Sequence, residues 1–241
     1  MSPSPPLSIG HRVTSVQALL GPQYGIPSAS LTSAFDHLLQ DDEVFKIGSL
    51  ECTVRHLPGH TPDSIGIQVG DCVFAGDSIF LSVSRSLLSS LSLVARGLTS
   101  SLFLSIICFA IMSRPDVGSA RADFPGGSAS HLYSSTQFLL ALPPTTRIFS
   151  GHDYPDASRD KSCFSTVAAQ KLANLHVRDG VSGAEFEEMR RKRDEGLGTP
   201  RLLHASLQVN LRGGRLPERD GEGRRWMRVP IEVLGEGGED L

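Results

Sequence analysis

His56-Leu57-Pro58-Gly59-His60-Thr61-Pro62 closes one alternating apolar stretch of the chain, and Gly76-Asp77-Ser78-Ile79-Phe80 closes a later one. Ser150-Gly151-His152-Asp153-Tyr154 follows a third apolar run. Pro-Gly and Gly-Asp are turn chemistry. Each motif therefore reads as a turn at a strand end that carries a metal-ligand side chain: His60, Asp77 and His152. One such residue says little, because turn aspartates and loop histidines commonly bond backbone. Three ligand-bearing turns in order, each behind a β-like segment, point to imidazole and carboxylate donors around a divalent metal. A catalytic site of this kind keeps a position open for water or substrate.

Working outward, the segments feeding these turns alternate as strands do. Val44–Ile47 and Leu50–His56 flank Gly48-Ser49 as a hairpin. Ile65–Val69 and residues 72–75 flank Gly70-Asp71 as another, and Arg147–Ser150 is a short strand delivering His152. Helices are expected over residues 12–20, from Ser128 or Ser130 to Leu140, over residues 161–175 and over residues 184–193. The last carries early glutamates and late basic residues, which suits the helix dipole. Strands and helices together make an α/β protein.

The chain of 241 residues is long enough for a sizeable core in one large or two small domains. A net charge of −3 and 6% aromatic residues argue against nucleic acid as a partner, since neither a basic surface nor a stacking platform is present. Cys52, Cys72, Cys108 and Cys163 contain no Cys-x-x-Cys pair, which points away from a disulfide framework and toward a reducing compartment. Met-Ser-Pro-Ser-Pro-Pro does not read as a secretory signal. Residues 81–114 break the style of their surroundings: they lack Asp, Glu, Lys and His and consist largely of Ser and Leu. Their apolar part, residues 98–112, falls short of the roughly 20 residues a bilayer requires, and Arg96 interrupts its extension. A membrane anchor is the weakest reading.

Four motifs taken together, His-x-Pro-Gly-His-Thr-Pro, Gly-Asp-x-Ile-Phe, Gly-Ser-Ala-Arg-x-Asp-Phe-Pro-Gly-Gly at residues 118–127 and Gly-His-Asp-Tyr, resemble the metallo-β-lactamase superfamily. The nearest branch is that of the persulfide dioxygenases (sulfur dioxygenases) and the β-lactamase-hydrolase-like bacterial proteins. Glu185-x-x-x-Met189-Arg190-x-x-Arg193-Asp194, Pro200-Arg201-Leu202 and Ser206-Leu207-Gln208-Val209-Asn210 look like that branch too. The resemblance implies an αβ/βα sandwich, with residues 1–241 as one domain and residues 176–241 as its family-specific extension. It implies an iron(II) cofactor, with zinc the alternative, held by two histidines and an aspartate. His60 matches the second histidine and Asp77 the aspartate. His152 matches the histidine of a second metal position or lies beside the iron. Arg121, Asp123 and Tyr154 match substrate-lining positions, with Arg121 either anchoring a glutathione-type carboxylate or pairing with Asp123 to fix its loop. The implied reaction oxidises glutathione persulfide with dioxygen to sulfite, in a mitochondrial or cytoplasmic setting.

Two departures qualify that expectation. The superfamily's His-x-His-x-Asp-His motif, source of the first histidine ligand, is absent from these residues. Residues 9–17 resemble the sequence that follows it, so the expected fold opens with its first sheet incomplete; His11 and His37 do not match ligand positions. The second departure is residues 81–114, whose deletion restores the family's junction. They read as a foreign insert: translated non-coding sequence, an intron kept in frame, or a gene-model error. The expected activity is impaired accordingly. The rivals are a glyoxalase II-like thioester hydrolase and an inactive fragment or pseudoenzyme.

Overall fold

The computed structural model describes residues 9–11, 26, 35, 37–81, 118–154 and 160–229. Strands β1 (Ile9–His11) and β2 (His37–Leu39) pair with each other. A six-stranded sheet follows in chain order: β3 (Val44–Ile47), β4 (Leu50–His56), β5 (Ile65–Val69), β6 (Cys72–Gly76), β7 (Arg147–Ser150) and β8 (Phe164–Thr166). Neighbouring strands are antiparallel except β6 and β7, which are parallel. The helices are α1 (Ala129–Leu140), α2 (Val167–Ala173), α3 (Gly183–Asp194) and α4 (Leu203–Asn210). The described residues fall into two compact units, Leu39–Leu197 and the described parts of Met1–Leu38 with Gly198–Leu241.

Strand alternation sorts the larger unit's sheet into two faces. Val73, Ala75 and Ile148 turn toward the helices and join one buried cluster with Leu132, Leu139 and Leu140 of α1, Val167 of α2 and Phe186 of α3. Each fully buried valine, leucine, isoleucine or phenylalanine in this cluster contributes about 1.5–3 kcal/mol relative to exposure. On the opposite face Phe74 stacks on Phe149 at 4.8 Å, and Phe149 meets Phe164 at 5.4 Å. Ser128 caps α1 by accepting from the His131 N–H. Ser182 and Glu185 form a reciprocal capping box at the start of α3.

Pairing directions decide where the turns go. Two antiparallel steps separate β4 from β6, so these strands run the same way, and β7 runs parallel to β6. The C-terminal ends of β4, β6 and β7 therefore share one edge, and the turns carrying His60, Asp77 and His152 leave from it.

One expectation needs correction. Residues 161–175 do not make one helix: Phe164-Ser165-Thr166 pairs antiparallel with β7, and Thr166 then caps α2 through the Ala169 N–H. Cross-strand pairing with Arg147, Ile148 and Phe149 overrides a local helical pattern. The expected helix over residues 12–20 lies outside the described residues, as does the expected foreign insert, residues 81–114, apart from Leu81. Among the described residues no helix is long and apolar enough to cross a membrane.

The chain passes out of the described fold at Leu81 and returns at Gly118, and these points adjoin. Phe80 N donates to the Gly118 carbonyl at 3.0 Å. Gln170 Nε2 donates to the Phe80 carbonyl at 3.0 Å and Asn174 Nδ2 to that of Gly118 at 2.9 Å. Deleting residues 81–114 leaves Pro115-Asp116-Val117 to bridge the gap between Phe80 and Gly118. The deletion variant is expected to unfold cooperatively with a midpoint no lower than the parent's, because the flanking residues Phe80 and Gly118 are already hydrogen-bonded to each other. Thermal unfolding monitored by near-ultraviolet circular dichroism checks this; loss of the cooperative transition would show the segment to be structurally required.

Candidate metal centre

The turn after β4 is seated on α1. Ser135 Oγ donates to the Pro58 carbonyl at 2.7 Å, and Ser128 N donates to the Gly59 carbonyl at 2.9 Å. Gly59 has φ +141°, and a Cβ there would lie 2.3 Å from Leu132 Cα. Only glycine allows that approach. His60 follows directly, with its Nδ1 2.8 Å from the Arg121 carbonyl oxygen and its ring 4.9 Å from that of Phe124. A carbonyl only accepts, so Nδ1 carries the hydrogen, and in the neutral ring this leaves Nε2 as the nitrogen with the lone pair.

Asp77 leaves β6 beside the start of the His152 turn, because Gly151 N donates to the Gly76 carbonyl at 2.8 Å. A Cβ on Gly151 would sit 2.6 Å from Asp77 Oδ1, so glycine makes room for the carboxylate. Asp77 Oδ2 then lies 3.6 Å from His60 Nε2 and 3.5 Å from His152 Nε2. Two ligands about 2.0–2.2 Å from one ion at a tetrahedral angle stand roughly 3.4 Å apart. Both imidazole–carboxylate pairs thus have the donor types and spacing of neighbouring metal ligands. Among the described residues, however, no three His, Cys, Asp or Glu side chains form a group that could hold an ion by themselves. Asp77 is the common member of two imidazole–carboxylate pairs, and their donor types suit part of a metal's coordination shell.

Arg121 forms one rim of this edge. Its Nε and one terminal nitrogen donate to the two carboxylate oxygens of Asp123 at 2.6 and 2.5 Å, and its guanidinium lies 5.0 Å from the Phe124 ring centre. That guanidinium, before any other cause, holds the Asp123 carboxyl below its usual range. Tyr154 stands on the other rim with its ring 5.3 Å from Phe80 and 5.9 Å from His152. His60, Asp77 and His152 meet at one edge, and Arg121, Asp123 and Tyr154 stand around it. Sequence reasoning passed over Phe124 and Gly151, although both lie inside the quoted motifs. It also passed over Arg190 and Asp194 as functional residues, which α3 buries behind the Arg121 loop.

An α/β sheet presenting imidazole and carboxylate donors on the turns at one strand edge defines a class of metal-dependent enzyme folds. No protein-family model matches the chain. A β-lactamase hydrolase-like protein of Xylella fastidiosa (strain Temecula1) is 40% identical over 230 residues, covering 95% of this chain and 46% of the relative. Glyoxylase B2 of Dictyostelium discoideum is 36% identical over 235 residues, covering 96% of this chain and 69% of its own length. The crystal structure of ETHE1 from Myxococcus xanthus superposes with a TM-score of 0.56 at 27% identity, covering 76% of this chain and 63% of that one. The chain belongs to the metallo-β-lactamase superfamily, on its persulfide dioxygenase-like and β-lactamase-hydrolase-like branch. It spans about half the length of the Xylella relative.

Proposed function

We propose that the edge bearing His60 and Asp77 belongs to an iron-dependent persulfide dioxygenase site, impaired in residues 1–241 taken alone. The observation that carries this reading is the ligand-spaced His60–Asp77 pair, with the imidazole's Nδ1 hydrogen already committed to the Arg121 carbonyl. His60 and Asp77 would hold the metal, with His152 beside it. When bound, iron supplies open positions at which a thiolate sulfur and dioxygen are brought together. The chain's own residues shape the approach: Phe124 and Phe80 make the walls apolar, and the Arg121–Asp123 pair and Tyr154 offer polar contacts to a glutathione-type substrate. In the overall reaction glutathione persulfide, dioxygen and water give glutathione, sulfite and two protons, with the outer sulfur losing four electrons to dioxygen.

One observation favours a second reading. Asp77 Oδ2 is within ligand spacing of both imidazoles, as a carboxylate shared between two metal positions would be. That arrangement suits a thioester hydrolase, in which paired metals activate water.

Purified chain is assayed for iron and zinc content, oxygen uptake with glutathione persulfide, and thioester cleavage. Little turnover is expected from residues 1–241 alone, with oxygen uptake and sulfite appearing when a His-x-His-x-Asp-His segment is supplied upstream and residues 81–114 are removed. Thioester cleavage without oxygen uptake in that restored protein would favour the hydrolase. Vigorous oxygen uptake by the unaltered chain would overturn the claim of impairment.

A further inference from the structure

We propose that Asp194, held by Arg190, is a positioning residue for His60 and acts through a single peptide group. The inference rests on the reading of His60 as a metal ligand. The peptide joining Arg121 to Ala122 is trans, so its C=O and N–H point in opposite directions. Its carbonyl oxygen takes the His60 Nδ1 hydrogen at 2.8 Å, and its N–H donates to Asp194 Oδ2 at 2.9 Å. A carboxylate, a peptide and an imidazole therefore form one continuous chain of hydrogen bonds. Metal-bound histidines are commonly oriented by a carboxylate or a carbonyl on their second ring nitrogen. Here the two devices are placed in series.

The carboxylate is held through both of its oxygens. Arg190 is fully buried and Asp194 is 8% exposed, one helical turn apart on α3. Arg190 bonds the other oxygen of Asp194 through one terminal nitrogen and the Ser119 carbonyl through the second, at 3.3 Å. Ser119 and Ala122 are thereby fastened to α3 on both sides of Arg121. Ser119 Oγ adds a 2.9 Å hydrogen bond to His176 Nδ1. Stability alone does not call for an ion pair at this position, since replacing a buried pair with apolar residues of similar volume is often neutral or favourable. Its orientation does explain it. A charge-assisted bond at the N–H polarises the peptide and strengthens the carbonyl as an acceptor, which favours the His60 tautomer that frees Nε2.

The test reads the imidazole directly. Long-range proton–nitrogen spectra of metal-free, nitrogen-15-labelled protein at mildly alkaline pH assign the His60 tautomer, and zinc titration gives the affinity. Full chain, the Arg190→Met/Asp194→Leu double variant, Asp194→Asn and His60→Ala are compared. The parent is expected to hold His60 with hydrogen on Nδ1. The double variant and Asp194→Asn are expected to populate both tautomers and to bind zinc about tenfold more weakly, the low end of the loss seen when outer-shell partners are removed. An unchanged tautomer and affinity in a folded double variant, or in Asp194→Asn should the double variant not fold, overturns the relay. His60→Ala separates the two ideas: zinc affinity equal to the parent's would remove His60 as a ligand, whatever the tautomer result.

Discussion

Arg190→Ala is expected to cost about 3–5 kcal/mol of folding stability, the usual consequence of breaking a buried ion pair. The guanidinium is the largest fully buried side chain among the described residues. Removing it leaves the Asp194 carboxylate buried beside α3 without its cation, takes a donor from the Ser119 carbonyl, and opens a cavity where close packing had been. The pair is not ideally satisfied, since Arg190 Nε has no hydrogen-bond partner among the described residues. This is why the apolar double replacement should lose much less than the single one. Urea unfolding of both proteins measures the difference, with the slope of the transition confirming that the unfolded states are comparable. A loss below about 1 kcal/mol for Arg190→Ala would mean that Asp194 tolerates burial without its partner.

The second large effect is a loss of stability with acidification, centred on His176. Burial, followed by the nearby Arg190 and Arg193 charges, pushes this imidazole down from 6.5 to about 3. The folded protein therefore refuses a proton that the unfolded chain accepts. Stability is fully present above pH 6.5 and is lost progressively as pH falls toward about 3. The carboxyls of Asp71, Asp123, Glu185 and Glu188 are held below their usual range and lose stability in the same direction, but only below about pH 4.5. From pH 6.5 down to 4.5 the histidine acts ahead of them, and about 2–3 kcal/mol should disappear at 1.36 kcal/mol per unit. Denaturant unfolding across that window measures it. His176→Gln should flatten the profile; an equally steep slope in the variant would place the linkage elsewhere.

How much of this was legible in the sequence depends on the range of the interaction. Gly59 and Gly151 stand in turn motifs that read as strand ends, and alternation places β4, β5, β6 and β7 within a residue or so. Pairing of β8 was not legible, because Phe164-Ser165-Thr166 is short, runs straight into α2, and takes its hydrogen bonds from a strand more than a dozen residues earlier. His60, Asp77 and His152 were each visible as donors on turns. Their meeting at one edge follows from the parallel step between β6 and β7, which only long-range pairing fixes. The Arg190–Asp194 pair has the spacing of an ordinary surface ion pair on a helix. Its burial is decided by the Gly118–Gly127 loop packing against α3 from some seventy residues away.

Cobalt(II) titration followed by visible absorption tests the central claim, that His60 and Asp77 are donors to one divalent metal. The protein with the His-x-His-x-Asp-His segment supplied upstream is compared with its His60→Ala and Asp77→Ala variants. The account predicts cobalt–imidazole absorption that saturates in the parent and weakens at least about tenfold in each variant. Indistinguishable titrations in all three proteins would contradict it.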